Sequence, residues 1–221
     1  MAASRSVPAA AQPPREATVP AARESLLDAA FRALARRPWS AVRMVDVAAS
    51  AGVSRQTLYN EFGSKEGLAR ALVRREADGY LAGVERALAG ASDPRERLTA
   101  TAEWMMSAAH DNPLVRAMLT GCWSERLPAP SPAAVPSSIT APAQRRADGP
   151  LPTPGDLVGL VRDRAVAVLH GTGPLPPPDV AELARSCELA VRLALSCVTA
   201  PPAEGGVADL LRAALPRRLT A

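Results

Sequence analysis

The chain has 221 residues, with 26 Lys and Arg against 22 Asp and Glu, for a formal net charge of +4. That length excludes a disulfide-stapled miniprotein and an (α/β)8 barrel and leaves room for one or two compact units. The hydrophobic share is 48% but aromatics make up only 3%, so the core must be built from Ala, Leu and Val, which favours helices over strands.

The charge is unevenly placed. Residues 1–78 hold 12 basic and 8 acidic side chains, whereas residues 79–221 hold 14 of each. The whole positive excess is N-terminal, which points to a polyanionic partner, nucleic acid or anionic lipid, for the front third only. Cys122, Cys187 and Cys197 lack paired metal-ligand spacing and are expected to be free thiols, with no metal and no cofactor. No apolar run approaches the ~18 residues of a membrane helix and no signal core opens the chain, so a cytoplasmic protein with no membrane partner is expected.

In chain order, residues 1–19 are rich in Ala, Pro, Arg and Ser without an apolar period and read as a disordered arm. Order is expected from Pro20, where Leu27, Ala30, Phe31 and Leu34 recur at helical spacing until Arg37-Pro38 ends the helix. Trp39 is expected to cap the cluster below. Short helices fit residues 44–51 and 54–61, parted by Gly52-Val53, and a longer one runs from its N-cap Ser64 to Ala89. Further helices fit Pro94–His110, with Leu98, Ala102, Met105 and Ala109 on one face, and Pro113–Cys122. Residues 124–154 carry eight prolines and read as a mobile loop. Helices then fit Gly155–His170, Asp179–Thr199 and Val207–Leu215.

The informative stretch is Val47 to Phe62. Two short helices crossing steeply need a small residue where they touch, a Gly able to take positive φ at the turn, and an apolar anchor on the second helix. Ala48, Gly52 and Leu58 meet those demands in order, with Val47 and Phe62 completing the core beneath. Ser54 stands where an N-cap belongs, which leaves Arg55, Gln56, Thr57, Tyr59 and Asn60 on the first turns with no hydrophobic task. Such side chains read bases and grip phosphates.

This segment, with the following Gly63-Ser64-Lys65-Glu66-Gly67-Leu68, resembles the helix-turn-helix of the TetR family of transcriptional repressors, across about residues 21–72. The resemblance implies an all-α subunit with a three-helix DNA-binding domain over residues 20–66. It also implies an effector-binding and dimerisation domain over residues 67–221, whose ligand releases the operator. Where the family commonly has Thr opening the second helix, this chain has Arg43, which keeps a phosphate contact within reach and leaves the capping role open. Arg55 suits a guanine edge, Gln56 an adenine, and the Thr57 methyl a thymine. Tyr59, Ser64 and Lys65 occupy positions that the resemblance assigns to phosphates, and Lys65 opens a helix N-terminus that favours anions. Arg5 and Arg15 on the arm suit a neighbouring minor groove. Glu61 reads as a solvent-facing acid that disfavours misplaced phosphates.

In the second domain Trp104, Met105, Ala108, Met118 and Trp123, with His110 as a polar contact, suit an apolar effector pocket; plain core packing explains each singly. Val158, Val161, Ala165 and Val168 form one apolar stripe, and Leu183, Cys187, Val191 and Ala194 another, beside a solvent-side Glu188–Arg192 pair. Two such helices from each subunit make a four-helix dimer interface, and packing within one subunit is the alternative. The function expected is a homodimeric repressor of a palindromic double-stranded operator, released by a small, hydrophobic effector. A ligand-independent regulator or an activator of the same fold is the alternative. A small helical enzyme is disfavoured: the chain has no Gly-rich phosphate loop and no nucleophile elbow, and only a cluster of Glu103, His110 and Asp111 would revive that reading. A basic membrane-surface protein is disfavoured because the cations alternate with core positions.

Overall fold

The computed structural model describes residues 19–129, 151–170 and 177–216, and among them every regular element is helical. The order is α1 (Val19–Arg36), a 3-10 turn (Trp39–Ala41), α2 (Met44–Ala51), α3 (Arg55–Phe62), α4 (Lys65–Ala89), α5 (Pro94–Asp111), α6 (Pro113–Thr120), α7 (Pro154–His170), α8 (Pro177–Thr199) and α9 (Val207–Ala214). The expected arm lies outside the described residues apart from Val19. So do residues 130–150 of the expected mobile loop.

Side chains that satisfy orphan backbone donors set the helix starts. Asp93 accepts from the N–H groups of Arg95 and Glu96 ahead of α5, and Pro94 at the first helical position has no N–H to satisfy. Asn112 ends α5 and also opens α6, its Oδ1 accepting from the N–H groups of Leu114 and Val115 at 3.0 and 3.4 Å. At α7, Thr153 and Asp156 cap reciprocally: the Asp156 N–H donates to Thr153 Oγ1 and the Thr153 N–H to Asp156 Oδ2. The Thr153 N–H and hydroxyl, both donating to Asp156 Oδ2, hold that carboxyl below the usual carboxylate range. Thr153, as N-cap, stands directly before Pro154, so α7 starts there, one residue ahead of the expected Gly155.

The core is one continuous cluster with two ends. Leu26, Leu27 and Ala30 of α1, Val47 and Ala48 of α2, Leu58 and Phe62 of α3, and Leu68 and Leu72 of α4 fill the head. Further along, Tyr80, Val84 and Leu88 of α4 meet α5, α6 and α7. Helix α4 therefore belongs to both ends. The apolar face expected on α5, Leu98, Ala102, Met105 and Ala109, is fully buried.

Two expectations gain detail from the described residues. The first residues of the Pro-rich segment are tied down: the Trp39 N–H donates to the Arg126 carbonyl at 2.8 Å, and Pro128 is buried. Prolines exclude a helix there without excluding packing. The dimer stripes are the second. Val158, Val161, Ala165, Leu183, Cys187, Val191 and Ala194 are all buried within the single chain, where α7 packs on α8 and α8 packs on α5; only Val168 is exposed. A lone apolar stripe on a helix serves the nearest partner, and these helices have partners inside their own subunit. The large exposed apolar side chains among the described residues of the pair are Leu160, Val168 and Leu189, at 37%, 38% and 39% exposure, and Leu193, one turn beyond Leu189, is half-buried. The Glu188–Arg192 pair forms at 2.7 Å.

Candidate nucleic-acid interface

The α2–α3 corner is built from the residues that the motif singles out. Gly52 takes φ +67°, a left-handed conformation that L side chains rarely adopt, and the Val53 N–H donates to the Ala48 carbonyl at 3.0 Å. Ala48, Leu58 and Phe62 are buried beneath the crossing. Gly67 closes the next corner, because a Cβ there would overlap the Phe62 carbonyl oxygen. Together these features hold α3 rigidly with its polar face outward.

That face carries Arg55, Gln56, Tyr59 and Asn60, all exposed, with Tyr59 at 46%. Ser54 caps α3, accepting from the Thr57 N–H at 3.0 Å, and its hydroxyl shares a 2.8 Å hydrogen bond with Thr57 Oγ1. With the Thr57 hydroxyl engaged, the methyl group is what Thr57 has left to offer a base. Gln56 Nε2 donates to Asn60 Oδ1 at 2.8 Å, so the two amides form a preset pair. Arg55 makes no hydrogen bond or ion pair among the described residues, the state expected of a guanidinium awaiting a partner.

Lys65 opens α4 and is already positioned: its Nζ donates to the Ser40 carbonyl at 3.1 Å and lies 5.5 Å from the Trp39 ring centroid. Ser64 caps the same helix by accepting from the Gly67 N–H at 3.1 Å. Arg43 precedes α2 without a side-chain cap bond. It donates instead to both oxygens of Asp46 at 3.1 and 3.2 Å, and these bonds hold the Asp46 carboxyl below the usual carboxylate range. Glu61 differs from expectation. Its side chain is 13% exposed and pairs at 3.4 Å with Arg23, whose guanidinium also stacks 4.8 Å from the Phe62 ring centroid. Glu61 therefore ties the end of α3 to α1. Its spacing from Arg23, 38 positions away, carries no local signal.

Of the expected effector residues, Met105, Ala108 and Met118 are buried in the common core, with Trp104 and Trp123 half-buried against it. The Trp104 ring rests on the Gly83 backbone, its Nε1–H donating to the Tyr80 carbonyl at 3.3 Å and Arg86 lying 5.8 Å from the ring centroid. His110 is exposed, as are Glu103 and Asp111. Tyr80 is absent from the sequence expectations. It is 2% exposed, its hydroxyl has no hydrogen-bond partner among the described residues, and burial pushes its acidity down, raising the pKa. The signal for it is a lone Tyr on the buried face of α4, i+3 from Ala77 and i−4 from Val84.

A polar chain links this region to the head. Arg75 donates to Asp28 of α1 at 2.7 Å and to Glu76 at 2.9 Å; Glu76 Oε2 accepts from Asn112 Nδ2 at 2.7 Å; and Asn112 Oδ1 caps α6. Burial opposes the Arg75 charge, and the bonds to Glu76 and Asp28 outweigh it, so its pKa is raised. Four residues thus connect α1 to the start of α6.

Residues 26–72 match the family model of bacterial regulatory proteins, tetR family. The chain is 40% identical over 110 residues to the HTH-type transcriptional regulator AlkX of Mycobacterium tuberculosis, covering 49% of this chain and 52% of that one. It is also 40% identical over 81 residues to the HTH-type transcriptional activator FasR of Mycolicibacterium smegmatis, covering 37% of each. Among solved structures, the TetR family repressor AlkX from Dietzia sp., implicated in biodegradation of n-alkanes, aligns with a TM-score of 0.50 at 20% identity over 86% of this chain and 92% of that one. The chain spans about half the length, or less, of these curated relatives. They are transcriptional regulators, not enzymes, and the structural likeness is one of fold.

Proposed function

We propose that this chain, whose residues 26–72 match the family model of bacterial regulatory proteins, tetR family, is a homodimeric transcriptional repressor of that family acting in the cytoplasm. It holds a near-palindromic double-stranded operator through residues 20–66 and releases it when a small, hydrophobic effector binds within residues 67–221. The observation that carries the DNA reading is the outward face of α3: Arg55 without a partner and Gln56 preset by Asn60, on a helix locked from below by Leu58 and Phe62. In this reading Arg55, Gln56 and Thr57 contact bases, while Arg43, Ser54, Tyr59, Asn60, Ser64 and Lys65 contact phosphates.

The effector site lies where α4, α5 and α6 meet, around Trp104, Met105, Ala108, Met118 and Trp123. The Tyr80 hydroxyl replaces His110 as its polar contact. Binding there shifts α6, and the chain Asn112–Glu76–Arg75–Asp28 carries the shift to α1. Dimerisation uses the outward faces of α7 and α8, centred on Leu160, Val168, Leu189 and Leu193. An activator is the second reading, favoured by the name of one relative, the activator FasR. Selection of bound sites from a random duplex library by the full chain tests the proposal. Enrichment of a motif with two inverted half-sites is expected, and recovery of an unenriched library contradicts it.

A further inference from the structure

A cleft of about 120 Å³ separates the C-terminal half of α1 from α2. Its rim carries Arg32, Arg36, Arg37 and Arg43 against one carboxylate, Asp46, with the Ser50 hydroxyl at one end; the remaining lining is aliphatic. Four cations and one anion leave the cleft three charges positive. Asp46 accepts from Arg43 at 3.1 Å and from Arg37 at 3.3 Å, which steers those two guanidiniums. Arg32 and Arg36 stand one helical turn apart on α1, exposed, and neither has a hydrogen bond or ion pair among the described residues. Like charges at that spacing repel along a helix. Lining one small cleft, all four lie well inside the ~10 Å over which salt at 0.1 M screens charge.

We propose that this cleft is a second DNA-backbone site, gripping the sugar-phosphate chain beside the bases that α3 reads. The inference rests on the DNA-binding reading of α3 and extends its footprint. Three observations single out a phosphate. The cleft is far smaller than the roughly 300 Å³ at which ligand pockets begin, so an effector-sized molecule is excluded and a single phosphodiester is not. Guanidinium forks match phosphate oxygens in pairs, and this face holds four of them. Arg43 belongs both to the cleft and to the start of α2, the helix on which α3 packs, so the cleft lies on the same head as α3 and shares Arg43 with the proposed phosphate contacts. An anionic membrane is disfavoured by the rim, which offers no exposed large apolar side chain to enter lipid.

The test uses the full chain and a fluorescent duplex carrying its selected site, with affinity followed against KCl concentration. Each phosphate left without its cation should flatten the log–log salt slope by about 0.9, so the double variant Arg32→Gln/Arg36→Gln should flatten it by about 1.8. Affinity should fall about tenfold, by the same factor on the selected site and on a scrambled duplex. The pair Arg32→Lys/Arg36→Lys should restore the slope, and both variants should keep the wild-type circular dichroism and melting temperature. An unchanged slope in the Gln pair, or a loss confined to the selected sequence, overturns the proposal. So does a loss seen only on vesicles containing phosphatidylglycerol, which would reassign the cleft to membranes. A wild-type chain that binds no duplex at all brings down the α3 reading, whereas normal wild-type binding with an indifferent Gln pair removes the cleft alone.

Discussion

Tyr80 shows how much a single atom can say. A buried hydroxyl without a partner costs roughly 1–3 kcal/mol, and this one is held at 2% exposure on α4. Replacing Tyr80 by Phe should therefore raise the unfolding free energy in urea by roughly 1–3 kcal/mol. A loss of stability would mean that the hydroxyl is satisfied and has no ligand to await. The thiols make a second residue-scale case. Burial pushes the Cys187 thiol up to about 12 and raises that of Cys197, while Cys122 is exposed. A thiol titrating higher in the folded chain contributes its full stability below the unfolded value of 9.0 and loses it as pH rises toward about 12. Unfolding free energy should accordingly decline as pH rises past about 9, and Cys187→Ala should flatten that decline. An equal decline in the variant would contradict this.

At the scale of elements, Asn112 does two tasks with one amide, capping α6 and holding Glu76. Removing the cap alone costs about 1 kcal/mol. If the polar chain couples the two ends of the molecule, then Asp28→Ala and Asn112→Ala should be non-additive in operator affinity, by at least about 0.5 kcal/mol. Additivity within about 0.3 kcal/mol would show that the chain is structural only. What the sequence shows at this scale is uneven for a physical reason. The motif from Ala48 to Leu58 and the caps Ser54 and Ser64 are legible because their logic is local, a few residues apart on adjoining turns. Glu61 with Arg23 and Tyr80 beneath α5 are not, because each partner lies far along the chain. The α7 and α8 stripes are visible in the sequence, but periodicity shows that a face is apolar without naming what covers it; in the single chain, α8 and α5 supply the cover.

Over the whole molecule, the modest +4 becomes a statement about placement. Of the N-terminal excess, +2 falls within residues 20–66, where 7 basic side chains, among them Arg55, Lys65 and the arginines around α1 and α2, face 5 acidic ones, while residues 79–221 balance. Two heads presented together require an interface, and Leu160, Val168, Leu189 and Leu193 are the apolar side chains left outward on α7 and α8. Leu160→Glu/Leu189→Glu should give a folded monomer in sedimentation velocity whose operator affinity falls sharply while nonspecific binding persists. A variant that still sediments as a dimer would move the interface elsewhere.

The central claim is that α3 reads sequence. Arg55→Ala/Gln56→Ala, measured against the selected operator and a scrambled duplex over a range of KCl concentrations, addresses it directly. The ratio of the two affinities should collapse toward one, by roughly 1–3 kcal/mol for each bidentate base pairing removed, with the salt-dependent binding to scrambled DNA largely kept. An unchanged preference for the operator would contradict the account.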